Sequence, residues 1–417
     1  MSKLPPKSPH CEDNQAANKK CLLLYSGGVD TSICVYLLSQ YYGYQVITLT
    51  IDVCQDEGVC QKMADKAKKL GAIKTIVYDA KKEFADKYIS QVIKANGFYD
   101  DHYPLGTSLA RPMQAALAVK VAQQEKVDAV AHGCKGRGAD AFRLNMVFNY
   151  LLPDDIELVL PINDWWPTRQ EEIDFAYANK IPVPVPQDNP YSYDDNILSN
   201  AINYGSIDDI KEQAPEDAYK WTVPTQKAPA QSQQIQLGFK EGLPVSLDGQ
   251  KISLDKLMVK LNQLGGKHGV GRMDMIENGL YGNKFRWVYE APAAEILITA
   301  HQELEKLALP AETLYFKQEI ADKKWVKLAY KSFFYSPLTS ALMKLIDETQ
   351  QYVTGKVTLQ LYKGKVSVIK RVCANTLTQL DPKDLVSQET MDKVPYGFEE
   401  YAFASKHAEV IGQHFSN

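Results

Sequence analysis

Residues 21–38 read "CLLLYSGGVDTSICVYLL". An apolar run ends abruptly at Ser26-Gly27-Gly28. An acid, Asp30, and two hydroxyls, Thr31 and Ser32, follow, and then apolar residues recur at helical spacing (Ile33, Tyr36, Leu37). The pattern is a buried strand, a tight turn and a helix. Glycines at such a turn let backbone N–H groups converge on one space without Cβ obstruction. The helix start adds partial positive charge, so the seam is a cradle for phosphate. An acid beside phosphate calls for a magnesium ion between them. The expected ligand is therefore a nucleoside triphosphate with Mg²⁺. The G-x-x-x-x-G-K-[ST] phosphate loop is absent from the sequence, so this is a different device.

Outward from this seam, strand and helix signals alternate to about residue 180. "YQVITLTI", "KTIVY", "VDAVAHG" and "ELVLPI" read as strands. "KMADKAKKLG" and "KEFADKYISQVIKANG" read as helices closed by glycine, and "RPMQAALAVKVAQQEK" as a helix with Pro112 in its first turn. "TRQEEIDFAYANK" opens with a capping box, Thr168 and Glu171. This rhythm predicts an α/β fold with a doubly wound, mostly parallel sheet. "IPVPVP" from residue 181 enforces extended backbone and reads as a hinge. Beyond it the pattern becomes α+β: paired strands in "QQIQLGFKEGLPVSLDG", a helix stopped by glycine in "SLDKLMVKLNQLGG", an amphipathic helix in "AAEILITAHQELEKLAL", and a hairpin around Lys363-Gly364. The expected division is a flexible arm over 1–20, a nucleotide-binding domain over 21–180, a second domain over 181–374 and a C-terminal tail over 375–417.

The formal net charge of −4 argues against a nucleic-acid surface, which normally shows a basic excess. Seven cysteines, none in a C-x-x-C pair, read as reduced thiols of a cytoplasmic protein, and no metal-ligand spacing occurs. The polar N-terminus has no apolar core of a secretory signal, and no apolar run is long enough to span a membrane.

The order S-G-G-x-D-[ST] after the first strand resembles the pyrophosphate loop of N-type ATP pyrophosphatases, whose fold is adenine-nucleotide-hydrolase-like. Four further stretches, "YPLGTSLARP", "AHGCKGRGAD", "IPVPVPQDNPYSYDDN" and "GGKHGVGRMDMIEN", narrow the resemblance to argininosuccinate synthases. It runs from about residue 21 to beyond 370. The resemblance implies an ATP-dependent ligase of arginine biosynthesis. Citrulline is adenylated with loss of pyrophosphate, and aspartate then displaces AMP. It also implies a homotetramer whose C-terminal tail reaches across subunits. By this resemblance ATP meets Leu24, Tyr25, Ser26, Gly27, Gly28, Val29, Asp30, Thr31, Ser32, Ile51 and Gly133. Citrulline meets Tyr99, Arg143, Ser192, Glu277 and Tyr289. Aspartate meets Lys135, Ala139 and Asp140, and the residues assigned to catalysis are Asp30, Asp140 and Arg143.

The resemblance breaks at "GCKGRGADAFRLN". Lys135 stands where the family carries a threonine toward aspartate, and Ala139 where it carries an asparagine. Ala141 and Asn145 replace a glutamine and a glutamate, and Ala201 replaces a serine facing citrulline. These changes gather at the amino-acid site, while the phosphate loop is intact. They leave open the same adenylating chemistry on another acceptor or amine, or a non-catalytic ATP-binding relative.

Overall fold

The computed structural model describes residues 19–53, 58–136, 138–182 and 190–378. Nearly all of the expected arm, most of the proline-rich hinge and nearly all of the tail lie outside the described residues.

Five short strands form the first sheet: β1 (Lys20–Leu24), β2 (Gln45–Asp52), β3 (Lys74–Asp79), β4 (Ala129–Ala131) and β5 (Glu157–Val159). Their order is β3-β2-β1-β4-β5, and every pairing is parallel. The connecting helices are α1 (Val29–Tyr36), α2 (Val59–Lys69), α3 (Lys81–Phe84), α4 (Ser90–Lys94), α5 (Gly106–Glu125), α6 (Ala139–Leu151), α7 (Pro161–Trp165) and α8 (Arg169–Ala178). Alternate strand residues divide them. Cys21, Leu23, Ala129 and Ala131 pack into one core with Ile33, Ala67, Ile162 and Phe175 of α1, α2, α7 and α8. Leu22 and Val130 face the other core, with Phe84, Ile93, Leu109 and Leu144 of α3 to α6. The sheet is covered on both faces, so its strands read as unbroken apolar runs. The chain turns left from β1 to β2 but reaches β4 on the other side. That reversal opens a crevice beyond the carboxyl ends of β1 and β4, the usual ligand position in such sheets.

The second half holds two antiparallel sheets. One is ordered β10-β9-β8-β13-β14, from β8 (Gln233–Lys240), β9 (Leu243–Leu247), β10 (Gln250–Lys251), β13 (Gly355–Tyr362) and β14 (Lys365–Cys373). Both expected hairpins are present here, each turned by two left-handed residues, Glu241-Gly242 and Lys363-Gly364. The other is ordered β11-β12-β7-β6, from β6 (Ser192–Asp195), β7 (Asn200–Asn203), β11 (Arg272–Asn278) and β12 (Lys284–Glu290). Helices α9 (Leu254–Lys267), α10 (Pro292–Ala308), α11 (Ala311–Phe316), α12 (Lys323–Tyr330) and α13 (Pro337–Gln350) complete this half. The buried carboxylate of Glu290 ties its sheet to the preceding loop: it accepts from Asn200, from the backbone N–H of Lys220, Trp221 and Thr222, and from the Thr222 hydroxyl.

Two helix limits differ from expectation. Helix α5 starts at Gly106, so Pro112 lies inside it rather than in its first turn. The earlier turn is held by a side chain just upstream: the Tyr103 hydroxyl accepts from the Ser108 backbone N–H at 3.1 Å. Helix α9 continues through Gly265 and Gly266 and ends at Lys267, with His268 as its C-cap. Those glycines permit close packing. A Cβ at 266 would sit 2.1 Å from the Trp221 carbonyl oxygen, and one at 265 would sit 2.7 Å from Pro292.

Candidate active site

The Ser-Gly-Gly turn lies at the crevice mouth. Gly27 is left-handed (φ +74°), and a Cβ there would approach Met63 to 2.8 Å. Gly28 is extended and caps α1 without a side-chain bond, so Asp30 does not cap the helix. The first N–H groups of α1 therefore have no helical acceptor and point toward the crevice. Lys66 of α2 donates from Nζ to the Gly27 carbonyl at 2.8 Å, fixing the turn from below. Ser26 and Thr31 hydroxyls lie 3.2 Å apart. Ser32 is fully buried, and its hydroxyl donates to the Gly28 carbonyl at 2.6 Å, so it braces the loop from inside. Leu24 and Tyr25 lead into the loop, Val29 opens α1, and Ile51 lies on the neighbouring strand β2. Gly133, just after β4, faces the first turn of α1: a Cβ there would sit 3.0 Å from Thr31 Cγ2 and 3.2 Å from its backbone nitrogen. Its lack of a side chain lets the two loops meet.

A charge cluster guards this loop. Arg169, at the start of α8, spans Asp30 Oδ1 at 2.9 Å and Glu172 Oε2 at 3.0 Å. Lys135 Nζ lies 2.9 Å from Glu172 Oε1 and donates to the Pro167 carbonyl at 2.6 Å. Burial, then the neighbouring Glu172, pushes the Asp30 carboxyl up to about 6, with Arg169 and Lys135 opposing. Helix α8 is set in place by the expected capping box, with Thr168 accepting from Glu171 N–H and Glu171 accepting from Thr168 N–H.

The segment after β4 leads from this cluster to a second one. His132 accepts the Cys134 N–H at Nδ1 (3.2 Å), so its Nε2 carries the proton and donates to Asn145 Oδ1 at 2.8 Å. Burial holds the ring neutral, pulling its pKa down to about 4. Asn145, one of the departures noted above, thus secures the turn that carries Lys135. Ala139 and Asp140 begin α6. Burial favours the neutral form of Asp140. Arg111, 3.0 Å from Oδ2, and Arg143, 3.3 Å from Oδ1, outweigh it and hold the carboxyl below its ordinary range. Arg111 also pairs with Asp194 of β6. Burial pushes Asp194 up to about 6.

Strand register explains how distant residues converge. Tyr289 on β12 lies opposite Ala201 on β7, and Ala201 lies opposite Asp194 on β6. Residues two apart share a face. Ser192, Asp194, Ala201, Tyr289 and, on β11, Glu277 therefore line one face of the four-stranded sheet. Ser192 is at its exposed edge, and Ala201 is buried between Asp194 and Tyr289. The buried carboxylate of Glu277 accepts from the hydroxyls of Tyr289 and Tyr330. Tyr99 lies flat on Tyr330, with centroids 3.8 Å apart. Arg143 is buried, donates to Thr107 Oγ1 at 3.0 Å and stands 5.3 Å above the Tyr330 ring.

The residues expected around ATP gather at the ends of β1, β2 and β4 and the start of α1, with Ser32 buried behind the loop, and Tyr99, Arg143, Glu277 and Tyr289 share the second cluster. Lys135 joins the Asp30 cluster through Glu172, while Asp140 joins Arg143. The sequence reading passes over Lys66, Arg111, Arg169, Glu172, Asp194 and Tyr330. Arg111 and Asp194 stand inside the quoted motifs "YPLGTSLARP" and "YSYDDN", which is a signal that points to them. Lys66 and Tyr330 carry none, because each looks like an ordinary helix residue.

Comparison with known proteins agrees with this arrangement. Residues 20–182 match the arginosuccinate synthase N-terminal HUP domain, and residues 191–403 match the arginosuccinate synthase C-terminal domain. Among similar proteins, the argininosuccinate synthase of Oceanobacillus iheyensis is 43% identical over 363 residues, covering 87% of this chain and 86% of its own. That of Pyrococcus furiosus is 43% identical over 380 residues, 91% of each chain. That of Pyrobaculum aerophilum is 44% identical over 352 residues, 84% of this chain and 88% of its own. With both halves matched and the loop, the paired arginines and the Glu277 face in place, this chain belongs to the argininosuccinate synthase family.

Proposed function

We propose that the protein condenses citrulline with aspartate at the expense of ATP, giving argininosuccinate, AMP and pyrophosphate, as a ligase of arginine biosynthesis. The observation that carries the reading is the family match across both halves, with the phosphate loop intact between β1 and α1. The ureido oxygen of citrulline attacks the α-phosphorus, and the bond to the β-phosphate breaks. The aspartate amine then attacks the activated carbon, and AMP leaves.

The protein's task in both steps is positioning and charge stabilisation. Residues 26–32 offer backbone donors and hydroxyls to the departing pyrophosphate. Asp30 and Glu172 are two carboxylates crowded together beside the loop, a setting that holds cations, as Arg169 and Lys135 already show. Asp30 thus fits as the protein's ligand to Mg²⁺, which typically binds one or two carboxylates plus substrate phosphates. When bound, that ion supplies charge neutralisation on the phosphates. Arg143 and Glu277 supply opposite charges for the zwitterionic end of citrulline, with Tyr99, Tyr289 and Ser192 around it. Asp140, kept ionised by two arginines, is matched to the aspartate ammonium, with Lys135 and Ala139 beside it. We infer in addition a cytoplasmic homotetramer. Exposed apolar side chains at Tyr315, Phe316 and Ile320 support an oligomer, and light scattering measures its size.

The test is citrulline-dependent exchange of labelled pyrophosphate into ATP, followed by AMP release on adding aspartate. No exchange with citrulline overturns the reading. Exchange without aspartate-dependent AMP release keeps the acceptor and favours another amine. That second reading is motivated by Lys135, an ammonium where a hydroxyl is expected.

A further inference from the structure

Tyr330 lies in the last turn of α12, far in sequence from every motif above, yet it joins three parts of the second cluster. Its hydroxyl donates to Glu277 Oε1 at 2.6 Å, while Tyr289 takes Oε2. One face of its ring lies on Tyr99, nearly parallel at 2°. Its ring also carries the Arg143 guanidinium at 5.3 Å, and Tyr103 meets it edge-on at 5.9 Å. A buried carboxylate and a buried guanidinium thus share one neutral partner. Burial, then the charge of Glu277, pushes the Tyr330 hydroxyl pKa upward, so it stays protonated and can only donate to the carboxylate. The donated bond fixes the rotation of Glu277. The ring fixes the height of Arg143 above it.

The stack has a rigid base. Asn96, three residues before Tyr99, donates to Glu305 at 2.7 Å and to Asp322 at 3.3 Å, and bonds His301 at 2.8 Å. Lys317, fully buried, donates to Asp322 and lies 2.9 Å from Glu305. Asp322 immediately precedes α12. The two rings of the stack therefore grow out of one buried ionic cluster. This makes them a fixed wall.

We propose that Tyr330 is a positioning residue for the acceptor amino acid: it sets the separation and orientation of Glu277 and Arg143, so that they match an amino acid's ammonium and carboxylate. The inference rests on the reading of Glu277 and Arg143 given above. It assigns Tyr330 no contact with ATP or aspartate.

The experiment compares steady-state constants of the full-length protein with those of Tyr330→Phe, Tyr330→Leu and Glu277→Gln, with all three substrates varied. Tyr330→Phe keeps the ring and loses one hydrogen bond to a charged group, so KM for citrulline rises roughly tenfold. KM for ATP, KM for aspartate and kcat stay within about twofold. Tyr330→Leu loses the ring as well, and its citrulline KM rises further, on the order of a hundredfold, the Phe variant being the partial rescue. A merely structural tyrosine gives a different pattern: the melting temperature falls and all constants shift together, or none does. Either result overturns the proposal. If Tyr330→Leu fails to fold, the split of KM values in Tyr330→Phe decides alone. Failure of Tyr330→Phe itself to fold counts against the proposal. Glu277→Gln separates the two levels: an unchanged citrulline KM there removes the underlying reading. A raised KM there with an unchanged Tyr330→Phe removes only the role of Tyr330.

Discussion

The Ser-Gly-Gly loop and the Glu277–Arg143 cluster, the proposed phosphate and acceptor sites, are made of different material. The loop is one contiguous segment, residues 25–32, and the groups proposed to meet phosphate are its main-chain N–H donors. Its side chains mostly brace it, as Ser32 does by bonding Gly28. The second cluster is the opposite. Tyr99, Arg143, Glu277, Tyr289 and Tyr330 come from five separate elements, and the groups that matter are side-chain charges and hydroxyls. A site of main chain is damaged by adding atoms. A site of side chains is damaged by removing them. The departures at Lys135, Ala139 and Ala201 lie outside the loop itself, although Lys135 reaches the Asp30 cluster through Glu172.

Four measurements press on that contrast. The largest effect is expected for Arg143→Leu. Arg143 is 3% exposed and bonded to Asp140 and Thr107, and breaking a buried charge pair costs about 3–5 kcal/mol. We expect kcat/KM for citrulline to fall roughly a hundredfold to a thousandfold, with ATP affinity unchanged. An equal loss of ATP affinity would show that the two regions are not separable. Next is Gly27→Ala. The left-handed backbone costs a non-glycine residue about 1–2 kcal/mol, and Met63 must also give way. KM for ATP should rise about tenfold or more, whereas Thr31→Ala in the same loop should change it less. The reverse order would mean that side chains, not main chain, hold the phosphates.

The third concerns pH. The Asp30 carboxyl is raised in the folded protein to about 6, so it takes up a proton as pH falls through that value. ATP binding that needs the carboxylate weakens correspondingly, giving an acid limb in kcat/KM for ATP. Glu172→Gln removes a like charge, which favours the ionised form of Asp30 and moves the limb to lower pH. A limb that does not move assigns it to another raised acid, such as Asp194. The smallest effect is expected for Lys135→Thr. Lys135 is already engaged by Glu172 and the Pro167 carbonyl, so a threonine returns one neutral hydroxyl to the amine subsite. One such bond is worth about 0.5–1.5 kcal/mol, and KM for aspartate should fall two- to tenfold. An unchanged value takes Lys135 out of that subsite.

Much of the first half is legible before any coordinates. Short buried strands, glycine stops and the Thr168–Glu171 box are local signals, and the parallel sheet follows from their alternation. The four-stranded sheet behind the pocket is far less legible. Its strand Arg272–Asn278 turns Glu277 inward, where the carboxylate accepts from the Tyr289 and Tyr330 hydroxyls, and Ile276 outward. That inverts the alternation by which strands are recognised. Pro112 misleads for a different reason: proline is commonest in a helix's first turn, whereas here the Tyr103 hydroxyl, bonded to the Ser108 N–H, holds an earlier turn of α5 that begins at Gly106.

By itself, then, the sequence determined the fold class of the first half, the glycine-rich strand-to-helix seam proposed to bind phosphate and, by resemblance, the amino acids gathered at the second cluster. Each depends on contacts between near neighbours or on a contiguous motif. Tertiary structure alone decided that Tyr330 would meet Glu277 across 53 positions, that Lys135 would spend its charge on Glu172, and that Arg169 would reach back 139 positions to Asp30. Those pairings arise from strand register and helix placement, which long-range packing fixes and no short stretch of sequence encodes.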